Sequence, residues 1–217
     1  MNASTQGKSR FGRRTLVGLA AVGMVAVTAT ACTSDSDSSK PVADIPSLSG
    51  QTTAVKLDSG FTDALTSLKL TPGVVGSAKL TDGSLIFPIT GGNVTYYKPG
   101  SVSPFVQGEI QHTGSGLSLS AGGTTVQLTN FVIDPGASKL YGDVAANGAS
   151  VAKRAYLFNL DGTTLKALQT AGDTAILEGT KVALSPDAAA LLGKTFKTTA
   201  VKGGLLVGVA KITVNTK

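Results

Sequence analysis

One cysteine, Cys32, and one histidine, His112, are the only thiol and the only imidazole in a chain of 217 residues. A single thiol excludes an intrachain disulfide framework. A single imidazole, with two Met and no Trp, excludes a His-rich metal cage. A Ser–His–Asp hydrolase would have His112 as its only base, and Gly114-Ser115-Gly116 is too short to form the G-x-S-x-G elbow. The sequence contains no H-E-x-x-H, no Walker loop and no G-x-G-x-x-G with an acidic partner. Paired carboxylates could act as in a glycosidase. Most of the 13 acids, however, fall in turns such as Asp82-Gly83 and Asp161-Gly162, where their side chains serve backbone geometry. These absences predict a non-catalytic protein without a catalytic residue or a metal site.

Three side chains remain as candidates for ligand contact. His112 shares one face of a strand with Val106, Gly108 and Ile110, while Gln107, Glu109 and Gln111 lie on the other. It therefore points inward or into a pocket mouth, either as a hydrogen-bonded structural imidazole or as a ligand contact. Tyr96 and Tyr97 are adjacent in a strand, so one faces the core and the other the surface or a pocket rim.

Cys32 gains meaning from what precedes it. Residues 1–14 are polar and positive, and residues 15–31, TLVGLAAVGMVAVTATA, are apolar or small. This is a charged n-region, an apolar h-region and a small-residue cleavage site. Ala29-Thr30-Ala31-Cys32 resembles a bacterial lipobox, with Ala29 where that pattern usually has Leu. The resemblance implies cleavage after Ala31 and a lipid thioether on Cys32, hence a cell-membrane protein anchored on the extracytoplasmic face. Ordinary signal cleavage with release, or retention of the segment as an anchor, are the alternatives; about 17 weakly apolar residues are short for the latter. Arg13-Arg14-Thr15-Leu16-Val17 resembles a twin-arginine export motif, so the general secretory and twin-arginine routes both stay open.

Processing changes the charge. Of 19 Lys and Arg, four (Lys8, Arg10, Arg13 and Arg14) lie in residues 1–31, leaving 15 against 13 acids, a net +2. A protein held on phosphates keeps a clustered basic excess; this one does not, and no nucleic-acid partner is expected. The expected partners are the membrane, through the anchor, and an unidentified envelope protein or small ligand.

The elements that must position these residues are mostly strands. Residues 32–52 begin TSDSDSSKP after the cysteine and read as a disordered tether, of which residues 33–46 span at most about 50 Å. The folded domain, 53–217, is expected to begin near Thr53. Asp58-Ser59 cap a short helix reaching Leu68, and Pro72-Gly73 reads as a turn. Leu85, Phe87 and Ile89 alternate, with Pro88 restricting that strand to an edge or a bulge. Further strands run through 94–97, 106–112, 117–119, 126–133, 140–144, 156–160, 176–184 and 205–214, with Gly122-Gly123 and Asn147-Gly148 as turn signals. Ser185, Pro186 and Asp187 open a second helix that Gly193 closes. The pattern predicts an all-β single β-sandwich or barrel with two short peripheral helices.

The run Gly108-Glu109-Ile110-Gln111-His112-Thr113-Gly114-Ser115-Gly116-Leu117, then Phe131 to Pro135 and Leu140-Tyr141-Gly142-Asp143-Val144, resembles the HtaA-type haem-binding domain of bacterial cell-envelope proteins over residues 84–160. That resemblance implies an all-β domain gripping haem with a Tyr ligand supported by a His. Aligning the glycines puts Ser115 at the family's His and His112 at its Phe, leaving Tyr96 and Tyr97 as positional candidates. The expected function is ligand binding by a membrane-anchored domain, the ligand unknown and haem the candidate cofactor. Haem or iron acquisition and a structural envelope-interaction module are the alternatives.

Overall fold

The computed structural model describes residues 40–217. Arg13, Arg14, Ala31 and Cys32 lie outside them. Thirteen strands and two helices follow in order: β1 (Ala43–Ile45), β2 (Gln51–Leu57), α1 (Ser59–Ser67), β3 (Thr71–Gly76), β4 (Lys79–Thr81), β5 (Ser84–Pro88), β6 (Gly91–Tyr96), β7 (Val106–Ala121), β8 (Thr124–Asp134), β9 (Lys139–Ala146), β10 (Ala149–Asp161), β11 (Gln169–Ala171), β12 (Thr174–Leu184), α2 (Pro186–Phe196) and β13 (Leu206–Asn215). The all-β expectation holds.

Tight turns set the hairpins. Gly122 and Gly123 join β7 to β8 with φ of 56° and 77°, and Asn147 and Gly148 join β9 to β10 with 48° and 81°. Positive φ at both central residues matches the right-handed twist of the flanking strands. All pairings are antiparallel and form one curled sheet, β1-β6-β7-β8-β9-β10-β12-β13-β2-β5-β4, with β3 on β7 and β11 on β12.

The two ends of this order meet through the chain itself. β5 pairs with β2 and β6 pairs with β7, and only Ile89 and Thr90 separate β5 from β6. At the hand-over Ile89 N–H donates to the Gln51 carbonyl (2.8 Å) and Thr90 N–H to the Gln111 carbonyl (2.8 Å). Pro88, which cannot donate, sits at this break in the ladder, as a strand proline must. Beyond it, Gly92 on β6 and Gly108 on the facing β7 have φ of 114° and 113°. A Cβ at either would overlap a carbonyl oxygen of the facing strand, that of Glu109 or Asn93.

Asp143 holds a bend on the outer face. Asn130 and Arg154 adopt positive φ, 53° and 47°, where register shifts interrupt the β8–β9 and β9–β10 ladders. The Asp143 carboxylate accepts from Asn130 Nδ2 (3.0 Å), Lys153 Nζ (2.9 Å) and the Arg154 N–H (3.1 Å). The Asn130 and Lys153 bonds are the main reason its pKa is lowered to about 2.

Three sequence expectations change. Ordered structure begins before Thr53: β1 lies within the expected tether, and Leu48 is buried in the core. Pro72-Gly73 is not a turn but part of β3, whose free edge tolerates a proline. The second helix runs past Gly193 to Phe196, and Lys197, with φ 53°, takes the left-handed cap. Gly193 is required for close approach instead. The Thr198 carbonyl oxygen lies 2.8 Å from where its Cβ would stand.

Ser185 caps α2 and also ties it to the sheet. Its hydroxyl accepts from Ala188 N–H (3.0 Å) and donates to the Tyr156 carbonyl (2.7 Å), and the residue is fully buried. Ser185→Ala is expected to cost about 2 kcal/mol, combining loss of the cap with an unsatisfied carbonyl. Gly193→Val is expected to destabilise through the Thr198 contact. Both should lower the urea midpoint at unchanged slope; wild-type midpoints would count against these roles.

Candidate ligand-binding cavity

The interior has a packed part and a hollow part. In the packed part, Phe87 and Phe131 meet edge to face (5.2 Å, 85°), and Phe131 meets Phe158 (6.3 Å, 79°). Val126, Leu128, Val144 and Leu157 are almost fully buried. The hollow part is a cavity of about 300 Å³. Register explains the boundary. Ile133, Leu140 and Thr53 line the cavity, and their next-rung or cross-strand neighbours Phe131, Phe158 and Phe87 do not.

Strand alternation supplies the deep wall: Val55 from β2, Ile110 from β7, Ile133 from β8, Leu160 from β10, Val182 from β12 and Ala210 from β13. The rim consists of Ser103–Phe105, the Pro135–Ser138 turn and residues 162–168, among which Ser103, Pro104, Ser138 and Gly162 are exposed. Among the described residues, none of the lining side chains carries a charge. The polar ones are Thr53, Thr180, Tyr96 and the rim serines. The Thr53 hydroxyl is buried without a hydrogen-bond partner among the described residues.

The three candidate residues do not converge. Tyr96 is buried and lines the cavity, its ring edge to face with Phe105 (5.9 Å, 88°). Tyr97 faces the other way, is half-buried and is not part of the lining. His112 points inward, as the alternation predicts, with 1% of its surface exposed. It is not part of the lining either. Tyr96 pairs with Val106, six residues before His112 and so about 20 Å away along extended chain.

His112 is instead bound to the strand hand-over. Its Nδ1 lies 3.0 Å from the Pro88 carbonyl oxygen. A carbonyl can only accept, so Nδ1 carries the proton and Nε2 presents a lone pair. Nε2 is buried with no partner among the described residues. Burial lowers the imidazole pKa from 6.5 to about 4, against the smaller opposing pull of the Pro88 carbonyl. Ser115, at the position of the family's His, is also fully buried and donates to the His112 carbonyl (3.0 Å).

This arrangement does not fit the Tyr–His pair that the haem resemblance implies. Tyr96 reaches the cavity, but among the described residues no His lines it, and no Lys or Arg lines it to meet a propionate. The signal that sequence reasoning missed is the cavity wall itself. Val55, Leu160, Val182 and Ala210 are legible as inward-facing, but whether inward-facing side chains meet or leave a gap depends on the spacing of strands distant in sequence.

No protein-family model and no curated protein matches the chain. Solved structures do. The C-terminal domain of HtaA from Corynebacterium glutamicum superposes with a TM-score of 0.52 at 14% identity, over 79% of this chain and 98% of that one. The chain has the fold of that domain. A domain-swapped dimer of a variant of the same domain matches with a TM-score of 0.48 at 16% identity, over 72% and 90% of the two chains.

His112 makes stability depend on pH in a defined direction. Above pH 6.5 the imidazole is neutral whether the chain is folded or not. Below it, the unfolded chain takes up a proton that the folded chain refuses until about pH 4. Stability is therefore lost as pH falls across that window, by about 3 kcal/mol, and this contribution levels off below it. His112→Leu should remove this component while losing the Pro88 bond. Urea unfolding at pH 7.5, 5.5 and 4.0 checks it; equal pH slopes for both proteins would refute the assignment.

Proposed function

We propose that the protein is a lipoprotein, anchored through Cys32 on the extracytoplasmic face of the cell membrane, whose β domain binds a ligand in the apolar cavity and does no catalysis. The observation that carries this reading is a cavity of about 300 Å³ with, among the described residues, no charge in its wall. An open pocket with so apolar a lining gives water few hydrogen-bond partners, so an apolar ligand that displaces that water is bound favourably. A module serving only as an envelope scaffold has no need of such a pocket, whereas a binding protein does.

The anchoring half rests on the sequence: the n-region with Arg13 and Arg14, the small residues to Ala31, the single Cys and the polar segment after it. Two acyl chains on a processed Cys32 would suffice for stable attachment, where a single chain is marginal. Haem as the ligand is supported by the fold of the HtaA domain and by Tyr96 on the cavity wall. It is opposed by the distance to His112 and by the uncharged lining.

Cys32→Ala is expected to move the protein out of the membrane fraction, as unprocessed precursor or as released chain. Intact-mass measurement on the wild type should show loss of residues 1–31 and gain of a lipid. Unchanged membrane recovery of the variant at unchanged mass would overturn the anchoring.

A further inference from the structure

The cavity has a shape as well as a polarity. Its wall follows β12 from Ala175 to Val182, about 20 Å of extended chain. Its deep wall is branched and aliphatic, from Val55, Ile110, Ile133, Val182 and Ala210, whereas the aromatic rings of Tyr96 and Phe105 belong to the end where the rim loops gather. Apart from the Thr53 and Thr180 hydroxyls this wall is aliphatic, so it accommodates hydrocarbon and offers few hydrogen bonds to a polar group in its depth. Its volume is about twice that of an engineered apolar cavity that takes up benzene.

The entry of the chain supplies a second, independent observation. Ala43 pairs with Tyr96, and the Val42 N–H donates to the Tyr96 carbonyl (2.7 Å). Both Ala43 and Tyr96 line the cavity. The chain leading back toward Cys32 therefore leaves from the cavity's open end. Val42, 62% exposed, presents an apolar side chain there. Cys32 stands eight residues before Lys40, at most about 28 Å of extended chain. An anchor at Cys32 therefore keeps the rim close to the lipid surface.

We propose that the cavity takes a single aliphatic chain of a membrane amphiphile, drawn in through the rim formed by Ser103–Phe105, Pro135–Ser138 and residues 162–168, with the polar head left at that rim. This deepens the binding-protein reading and rests on it. Ala210, buried and part of the cavity lining, faces the hydrocarbon. Val209, next to it on β13, faces outward and is 38% exposed.

The test uses residues 33–217, which contain all the described residues, 40–217. cis-Parinaric acid is titrated by fluorescence and displaced with palmitate, and haem is titrated in parallel by absorbance. The wild type should bind parinaric acid saturably at one site and release it to palmitate. Ala210→Phe, which fills the bore, should weaken binding by at least about tenfold, and Val209→Phe should leave it unchanged. If Ala210→Phe does not fold by circular dichroism, Leu177→Trp on the β12 wall takes its place with the same expectation. Wild-type parinaric affinity in a folded wall variant overturns the proposal. A Soret band titrating to one equivalent without parinaric binding also overturns it, but leaves the binding-protein reading standing. Binding of neither probe removes both.

Discussion

One short stretch of chain, Pro88 to Gly91, has to serve two neighbours. Up to Pro88 the strand belongs to β2, and from Gly91 it belongs to β7. The sheet can curl back on itself only because of this change of partner. The hydrogen bond from His112 Nδ1 to the Pro88 carbonyl (3.0 Å) holds the two sides together across the switch. That carbonyl would otherwise be an unpaired acceptor at a break in the ladder, and such groups are costly to leave without a partner. His112 is thus placed by a structural demand. Its buried Nε2 has no partner among the described residues, and the resulting burial keeps the imidazole neutral well below its ordinary range.

The same closure divides the interior. On one side of the hand-over, Phe87, His112, Phe131 and Phe158 fill the space between the walls with rings. On the other side the wall is built from Val, Ile, Leu and Ala, which are too short to meet across it, and a cavity of about 300 Å³ remains. Side-chain size decides between packed core and hollow. Both helices follow strand ends away from the rim loops, α1 after β2 and α2 after β12, so the rim is left to loops and the chain's entry. Asp143, with Asn130 and the Arg154 backbone, holds the outer-face irregularities by which β8, β9 and β10 bend around this interior.

The HtaA C-terminal domain shares this architecture at 14% identity, yet the pair implied by the loose motif resemblance is not assembled in this chain. The His112 ring is held by Pro88, and Ser115 at the family's His position is buried against the His112 carbonyl. A shared β framework fixes where strands run, while the inward side chains on it decide what the interior can hold. Here they leave an uncharged, mostly aliphatic wall.

The sequence by itself determined the local features, because their causes are local. Alternating apolar residues placed the long strands and pointed His112 inward. Asn147-Gly148 and Gly122-Gly123 dictated their turns through the need for positive φ, and Ser185-Pro186 marked the start of α2. Adjacency alone separated the faces of Tyr96 and Tyr97. Where the causes were distant, the sequence misled. Gly193 reads as a helix end, yet it stays inside α2, close against the Thr198 carbonyl, and Lys197 takes the left-handed cap. Pro72 reads as a turn, yet it occupies a free edge of β7's partner strand. The segment before Thr53 reads as tether, yet Leu48 finds a place in the core. Only the tertiary structure decided that His112 and Tyr96 stand apart and that inward-facing Val55, Val182 and Ala210 leave a gap. A void is a property of the spacing between strands brought together from across the chain, and no residue type or interval in the sequence encodes it.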